Sequence, residues 1–281
     1  MLEIEPKKFK NFGEYFTYNH ALYTKNNYKE YPNVAYLEKV LRDPDNNLFF
    51  CPVCLINSKI RIDNLANQNP IDRYVYLNQI NWNYIFCCNC GKNTRQRLCL
   101  YLLDRLCFNT QNLNIYLVNE IRTDVFDFCI NKYPSHTFIT SEYDTTNLKE
   151  NVRIEDVHNL NFDDNIFDIV VCQDVFEHVA DPLKGLSEIF RVLKPGGQML
   201  MTLPSNQNIL YEHTKYAEII NEEIVYYRTP EYHDYSLVYN LFGLKLLEEL
   251  REIGFSDVTY EVYSDLNLMF FLDTPIYRVI K

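Results

Sequence analysis

The chain has 281 residues, 47% of them hydrophobic and 23% charged. That is a globular composition and not a disordered one, and at roughly 150 residues per domain it suggests one large domain with a smaller one beside it. No apolar run reaches the ~18 residues of a membrane span, and the opening MLEIEPKKFKNFGEYF lacks the unbroken apolar core of a secretory leader, so the expected compartment is the cytosol. The net charge of −11 is uneven: residues 1–110 hold 14 Lys+Arg against 10 Asp+Glu, which leaves 13 of 27 against 28 of 38 for residues 111–281, a net of +4 followed by −15. An acidic body repels phosphate backbones, so nucleic acid would have to dock on the N-terminal third.

Residues 1–45 read as an N-terminal extension rich in Tyr, Asn and Lys, with weak periodicity. Only Val34–Leu41 has helical spacing, and Asp43-Pro44 closes it. Residues 46–94 form a separate module dominated by cysteine. Cys51-Pro52-Val53-Cys54 and Cys87-Cys88-Asn89-Cys90-Gly91 give two C-x2-C pairs with 32 residues between them. Each pair can turn two thiolates onto one ion, and two pairs complete a tetrahedron, so Cys51, Cys54, Cys87 and Cys90 predict a structural Zn2+ with no open position. Cys88 could replace Cys87 or Cys90 or be spare; unrelated thiols or a redox pair are the competing readings. Tyr74–Leu77 and Tyr84–Phe86 are candidate strands of a zinc ribbon. Cys99, Cys107, Cys129 and Cys172 fall on apolar faces and are expected in the core.

The main domain is expected over 95–281. Arg95–Phe108 is an amphipathic helix. Short apolar strands then alternate with helices: strand Ile115–Val118, helix Val125–Lys132, strand Thr137–Thr140, weak strand Val152–Ile154, buried strand Phe167–Cys172, helix Leu183–Val192, a turn at Gly196-Gly197 and strand Gln198–Leu203. A helix over Leu241–Ile253 ends at Gly254, and Phe255–Tyr263 with Leu268–Val279 closes the domain. This alternation predicts an α/β fold, a doubly wound and mostly parallel sheet with an antiparallel hairpin at one edge. Residues 205–240, rich in Tyr and His, form an insertion placed to cap a substrate.

The stretch Asp156-Val157 with Leu160, Phe167-Asp168, Asp174-Val175-Phe176-Glu177-His178 and Glu188-Ile189-Phe190-Arg191-Val192-Leu193-Lys194-Pro195-Gly196-Gly197 resembles class I S-adenosylmethionine-dependent methyltransferases. The likeness continues through Pro230-Glu231-Tyr232-His233 and covers roughly 50–281. It implies S-adenosylmethionine as cofactor, with Glu142 on the ribose hydroxyls, Asp156 and the Val157 N–H on the adenine, and Gln173 and Asp174 near the methionine moiety. It also implies His178 and His233 on the acceptor side, either able to take a proton near pH 7. The first strand of such enzymes runs into a Gly-rich turn, whereas here no glycine lies between Gly91 and Gly185. That turn therefore falls on Asn119 and Glu120, Asn being the side chain that best tolerates positive φ.

The leading reading is a methyltransferase acting on a small molecule, such as a sugar or glycan precursor, at oxygen or nitrogen. A catalytically silent scaffold of the same fold is a second reading. An RNA methyltransferase gripping its substrate with the zinc module and a basic run of Lys92, Arg95, Arg97 and Arg105 is a third.

Overall fold

The computed structural model of the chain describes residues 4–25, 48–62, 85–119, 125–143, 152–204, 210–233, 235–268 and 270–281. The expected helix Val34–Leu41 and strand Tyr74–Leu77 lie outside them. The described residues form two compact units. One draws on Met1–Lys7, Gly13–Phe108 and Val262–Thr274, the other on Lys8–Phe12, Asn109–Glu261 and Pro275–Lys281. No helix among the described residues is long and apolar enough to cross a membrane.

The first described elements are β1 (Lys7–Phe9) and α1 (Phe12–Lys25). The first unit then builds two small antiparallel ribbons, β2 (Phe49–Cys51) with β3 (Ile56–Ser58) and β4 (Ile60–Ile62) with β5 (Ile85–Cys87). Each ribbon carries one cysteine pair. The turn after the first is closed by the Leu55 N–H on the Cys51 carbonyl at 2.8 Å. Helix α2 (Thr94–Cys107) begins at a reciprocal cap: the Asn93 side chain accepts the Gln96 N–H at 2.9 Å, and the Gln96 side chain accepts the Asn93 N–H at 3.1 Å. Two otherwise orphaned donors are satisfied this way. Leu98 and Leu103 are buried along the helix.

The second unit holds β6 (Asn114–Val118), α3 (Val125–Lys132), β7 (Thr137–Glu142), β8 (Arg153–Ile154), β9 (Phe167–Gln173), α4 (Pro182–Val192) and β10 (Leu193–Thr202). Apart from Asp168, FDIVVC is apolar and buried because β9 is central and covered on both faces. Helix α4 starts where Asp181 accepts the Lys184 N–H at 3.1 Å and Pro182 supplies a preset φ. Five strands run parallel in the order β8, β7, β6, β9, β10, as the sequence alternation predicts. The turn expected at Gly196-Gly197 is instead a register break within β10, between Leu193 and Gln198. There Gly196 takes φ 78°, and its N–H and the Gly197 carbonyl bond to Lys281 at 3.0 Å each.

The insertion after β10 folds into three short ribbons: β11 (Thr214–Lys215) with β16 (Asn240–Leu241), β12 (Ala217–Ile220) with β13 (Glu223–Tyr226), and β14 (Tyr232–His233) with β15 (Ser236–Leu237). Helix α5 (Leu246–Ile253) therefore starts five residues later than the apolar spacing from Leu241 suggests. Asn240–Leu241 pairs with Thr214–Lys215, and the turn that follows is held by the Leu244 and Lys245 N–H groups on the Leu210 and Tyr211 carbonyls at 2.9 Å. Gly243 permits this, since a Cβ there would overlap the Tyr211 and Glu212 carbonyls. Gly254 closes α5 at φ 124°, as expected of its position.

The strands β17 (Asp257–Asp265) and β18 (Phe270–Ile280) complete the sheet, with β18 antiparallel to β10 from Gln198↔Ile280 to Met201↔Tyr277. They are not the edge, contrary to expectation. The order continues β10, β18, β17, β1, so the N-terminal extension supplies the last strand. Lys8 pairs there with the buried Glu261 carboxylate at 3.1 Å. A three-residue strand reading Lys-Lys-Phe has too little pattern to be seen in sequence, and only the sheet it completes defines it.

Candidate active site

Strand β6 lies between β7 and β9, so the chain winds away from it in both directions. Such a switch point leaves a crevice beyond the carboxyl ends of the strands. Both residues that leave the central strands there adopt the left-handed conformation, Asn119 after β6 at φ 56° and Asp174 after β9 at φ 49°. Glycine usually takes such positions, and Asn and Asp are the L-residues that tolerate them best. The Asp174 N–H donates to the Thr202 carbonyl at 3.1 Å and its carboxylate accepts the Thr202 hydroxyl at 2.9 Å, which ties the end of β9 to the end of β10. Gln173, the last residue of β9, is buried at the same level. Glu120 lies outside the described residues.

Glu142 ends β7 with its side chain buried at 7% exposure. With its nitrogen turned toward Glu142, the Asn119 amide donates to Oε2 at 2.6 Å and to Oε1 at 2.8 Å; the opposite orientation would set oxygen against oxygen. The Tyr143 N–H adds a third donor at 3.1 Å. Asn119 and Glu142, picked out separately in sequence, thus form one unit across adjacent strand ends.

Asp156 and Val157 sit on the loop after β8. One Asp156 oxygen accepts the His158 N–H at 2.9 Å and lies 2.7 Å from His158 Nδ1, while the side chain stays 46% exposed toward solvent. What holds this loop is a pair in α4 whose role the sequence did not disclose. Glu188 accepts the Leu160 N–H at 2.9 Å and both Nε and Nη2 of Arg191, and Arg191 reaches the Leu160 and Phe162 carbonyls at 2.8 and 2.7 Å. The Arg191 guanidinium holds the Glu188 carboxyl below its usual range, and Glu188 in turn raises Arg191. The signal was present as an i, i+3 Glu/Arg pair on one helix face.

Beyond β9 the chain makes a short 3-10 turn, Phe176–His178. Glu177 is completely buried, and neither carboxylate oxygen receives a hydrogen bond from the described residues. Two imidazoles face it, His178 Nε2 at 3.5 Å and His233 Nδ1 at 3.8 Å. Their rings meet edge to face at 5.1 Å. His233 arrives on the β14–β15 ribbon, which is anchored over the turn by the Tyr239 N–H on the Glu177 carbonyl at 2.7 Å and by His178 Nδ1 on the Leu237 carbonyl at 2.8 Å. Glu231 stands 3.5 Å from His233 Nε2. Glu177 foremost, then Glu231, raises the His233 pKa above the ordinary imidazole value against the opposing effect of burial. His178 and His233 are 55 positions apart and are brought together, whereas His213 serves elsewhere, bonded to Glu249 at 2.7 Å and to the Gly243 N–H at 2.9 Å.

In the first unit Cys51, Cys54, Cys87 and Cys90 converge, with every Sγ within 4.8 Å of the others. Cys51 to Cys90 is 3.9 Å and Cys54 to Cys87 is 3.8 Å, the edge of a tetrahedron with metal–sulfur bonds of roughly 2.3 Å. All nine cysteines are reduced, and Cys88 is exposed and outside the group. The crowded thiols compete for charge: neighbouring Cys87 pushes Cys51 up to about 12, while Cys87 itself is lowered by Cys51 and Cys90. Cys99, Cys107, Cys129 and Cys172 are buried, as their apolar faces suggested.

The basic run proposed as a nucleic-acid grip does not face solvent as a patch. Arg97 is completely buried and Lys92 is 8% exposed. The Arg97 guanidinium lies 4.7 Å from the Phe49 ring and donates to the Leu268 carbonyl and the Thr94 hydroxyl at 3.0 Å each. Burial lowers its pKa and the four cysteines oppose that.

Residues 122–201 match a family model described as a methyltransferase domain. They include the strands β7, β8 and β9 and most of β10, with Glu142, Asp156, Gln173 and Asp174, but neither β6 nor Asn119. This part of the chain is similar to methyltransferase domains. Curated proteins similar to the chain include the following two. An uncharacterised protein of Methanocaldococcus jannaschii is 32% identical over 90 residues, 32% of this chain and 37% of that protein. A ubiquinone biosynthesis O-methyltransferase of Coxiella burnetii is 27% identical over 130 residues, 46% of this chain and 54% of that protein. The chain thus spans about half or less of the length of these relatives. Among solved structures, an S-adenosylmethionine-dependent methyltransferase from Mesorhizobium loti is similar with a TM-score of 0.43 at 12% identity, over 64% of this chain and 97% of that one.

Proposed function

We propose that the protein is an S-adenosylmethionine-dependent methyltransferase acting on a small molecule at oxygen or nitrogen. The observation that carries this reading is the crevice beyond β6 and β9, where a left-handed Asn119 faces the buried Glu142 carboxylate, with the exposed Asp156 carboxylate on the loop after β8. These donors and acceptors fit the cofactor's ribose and adenine. Glu142 accepts the two ribose hydroxyls, partly replacing the Asn119 amide, while the free Asp156 oxygen and the Val157 N–H read the adenine edge. Gln173 and Asp174 border the amino-acid end. The cofactor supplies an electrophilic methyl on a sulfonium, so the protein has only to align the acceptor and manage its proton.

On the acceptor side His178, His233 and Glu177 stand at the mouth of β9, where an imidazole can receive the proton of a hydroxyl or ammonium acceptor. The β11–β16 insertion covers this side, and Tyr226, Tyr227, Tyr232 and Tyr235 expose rings suited to stacking on a sugar or glycan precursor. The net of −15 over residues 111–281, with Lys92 and Arg97 buried, supports a small acceptor over nucleic acid. The cysteine tetrahedron takes Zn2+ and holds the fold of the first unit without an open position for chemistry.

Calorimetric titration of zinc-loaded protein with S-adenosylmethionine, and separately with S-adenosylhomocysteine, tests the reading. Saturable binding that is lost in Glu142→Ala and weakened in Asp156→Ala is expected. Folded protein that binds neither ligand would sink it and favour a silent scaffold, in which the Asn119–Glu142 pair closes the pocket.

A further inference from the structure

Three features of the second unit, outside the cofactor residues, call for a ligand. The ribbon β12–β13 exposes Ile219, Ile220, Ile224 and Val225, but nothing on it specifies an occupant. The cleft beside His213 is bordered by Lys215, Glu218 and Glu249, yet both nitrogens of its histidine are already bonded. The cluster of Glu177, His178 and His233 is different, because its polar groups are arranged around a gap.

The chemistry of the gap follows from His178. A carbonyl can only accept, so the 2.8 Å contact to Leu237 fixes the proton on Nδ1. That leaves Nε2 as the ring atom that faces the Glu177 carboxylate, 3.5 Å away. Glu177 is completely buried, and among the described residues neither oxygen receives a hydrogen bond. A bare buried carboxylate costs several kcal/mol, and a cation placed between the three groups would offset that cost. A shared proton would draw the partners to a charge-assisted contact of about 2.7–2.9 Å, shorter than both the 3.5 Å and the 3.8 Å separations. An ion held by bonds of roughly 2.1 Å sets its ligand atoms about 3.0–3.5 Å apart; the 3.5 Å separation falls at that limit and the 3.8 Å one lies just beyond it, with all three ligand atoms within 4.8 Å of one another. The Leu237 carbonyl on the far nitrogen of His178 is also the contact that orients a metal-bound imidazole and fixes its tautomer.

We propose that Glu177, His178 and His233 bind a divalent first-row transition ion, separate from the cysteine-bound zinc, with positions left open toward the acceptor. Two imidazoles and one carboxylate suit zinc, iron, cobalt or manganese better than magnesium or calcium, whose sites are built from oxygen. The role of the ion rests on the methyltransferase reading: in an open position it would hold an acceptor oxygen and lower its pKa, and so stand in for an imidazole as the means of removing the acceptor's proton. The binding of the ion does not rest on that reading. The site also requires the insertion, because His233 and the Leu237 carbonyl both come from the β14–β15 ribbon.

The test is titration of Co2+ into protein whose cysteine cluster has first been loaded with one equivalent of Zn2+, followed by visible absorption and calorimetry. The expected result is one further equivalent per chain, with the weak d–d bands of nitrogen and oxygen ligation and without thiolate-to-cobalt charge transfer. That equivalent should bind roughly tenfold or more weakly in His233→Ala and in Glu177→Gln, while zinc at the cysteines is unchanged. His233 has a side chain 38% exposed, so its variant keeps the test intact should Glu177→Gln fail to fold. Absence of a further equivalent in the wild type, or uptake unaltered in His233→Ala, overturns the proposal. S-adenosylhomocysteine titrated into the same samples separates the two readings: homocysteine derivative bound without cobalt refutes the ion site alone, and cobalt bound without it refutes the cofactor pocket alone.

Discussion

Asn119 offers the most direct test of how this sheet manages without a glycine at the turn after β6. Its backbone sits at φ 56°, a conformation that costs an ordinary L-residue about 1–2 kcal/mol. Its amide is the donor that satisfies a carboxylate of only 7% exposure at 2.6 and 2.8 Å. A hydrogen bond to a charged group contributes about 1.5–3 kcal/mol. Asn119→Gly removes the amide and keeps the conformation easy, so it should destabilise the second unit by about 2 kcal/mol. Asn119→Ala removes the amide and adds about 1 kcal/mol of backbone strain, for a total near ~3 kcal/mol. Urea melts followed by circular dichroism would resolve the two. In a double-mutant cycle with Glu142→Gln, the coupling should recover most of the amide contribution. Equal losses for Ala and Gly would refute the backbone part of this account. Losses of under about 0.5 kcal/mol for both, or no coupling to Glu142, would refute the whole of it.

Other outcomes follow from the same structure. Cys90→Ser leaves three thiols on the tetrahedron, and the first unit should then lose bound zinc and its cooperative melting transition, as chelation of the wild type should also cause; metal analysis with calorimetry checks both. Glu188→Gln should loosen the loop carrying Asp156 and weaken S-adenosylhomocysteine binding. Because Arg191 depresses the folded-state pKa of Glu188 below its ordinary 4.5, the stability it contributes is present above that value and is lost as pH falls through the depressed one. The gap between wild type and variant in urea melts should therefore be full at pH 7 and vanish in acid; a gap that does not change with pH would contradict the ion pair. Gly243→Ala should cost more than about 2 kcal/mol, since its Cβ would overlap two backbone carbonyls, and a neutral result in thermal melts would show that the 210–215 pairing yields easily.

Strands such as Phe167–Gln173 and helices such as Val125–Lys132 were legible in sequence because their apolar period reports burial directly. The cysteine tetrahedron was legible because its ligand spacing is local within each pair. Asn119 could be named for its tolerance of positive φ, and Gly254 for its place after a helix. The start of α5 was misplaced, since Leu241 continues the helical spacing while Gly243 allows the chain to pair with 210–215 instead. The edge strand β1 escaped notice because Lys-Lys-Phe has no pattern of its own.

By itself the sequence determined the alternation of strand and helix, the four thiols and the acids at strand ends, all of which are set by residue type at short range. Only the tertiary structure decided that Asn119 serves Glu142, that Arg97 is interior and not a surface cation, and that the β14–β15 ribbon brings His233 to a buried Glu177. Those relations join residues far apart in the chain, and their energies arise from desolvation on folding, which no local pattern records.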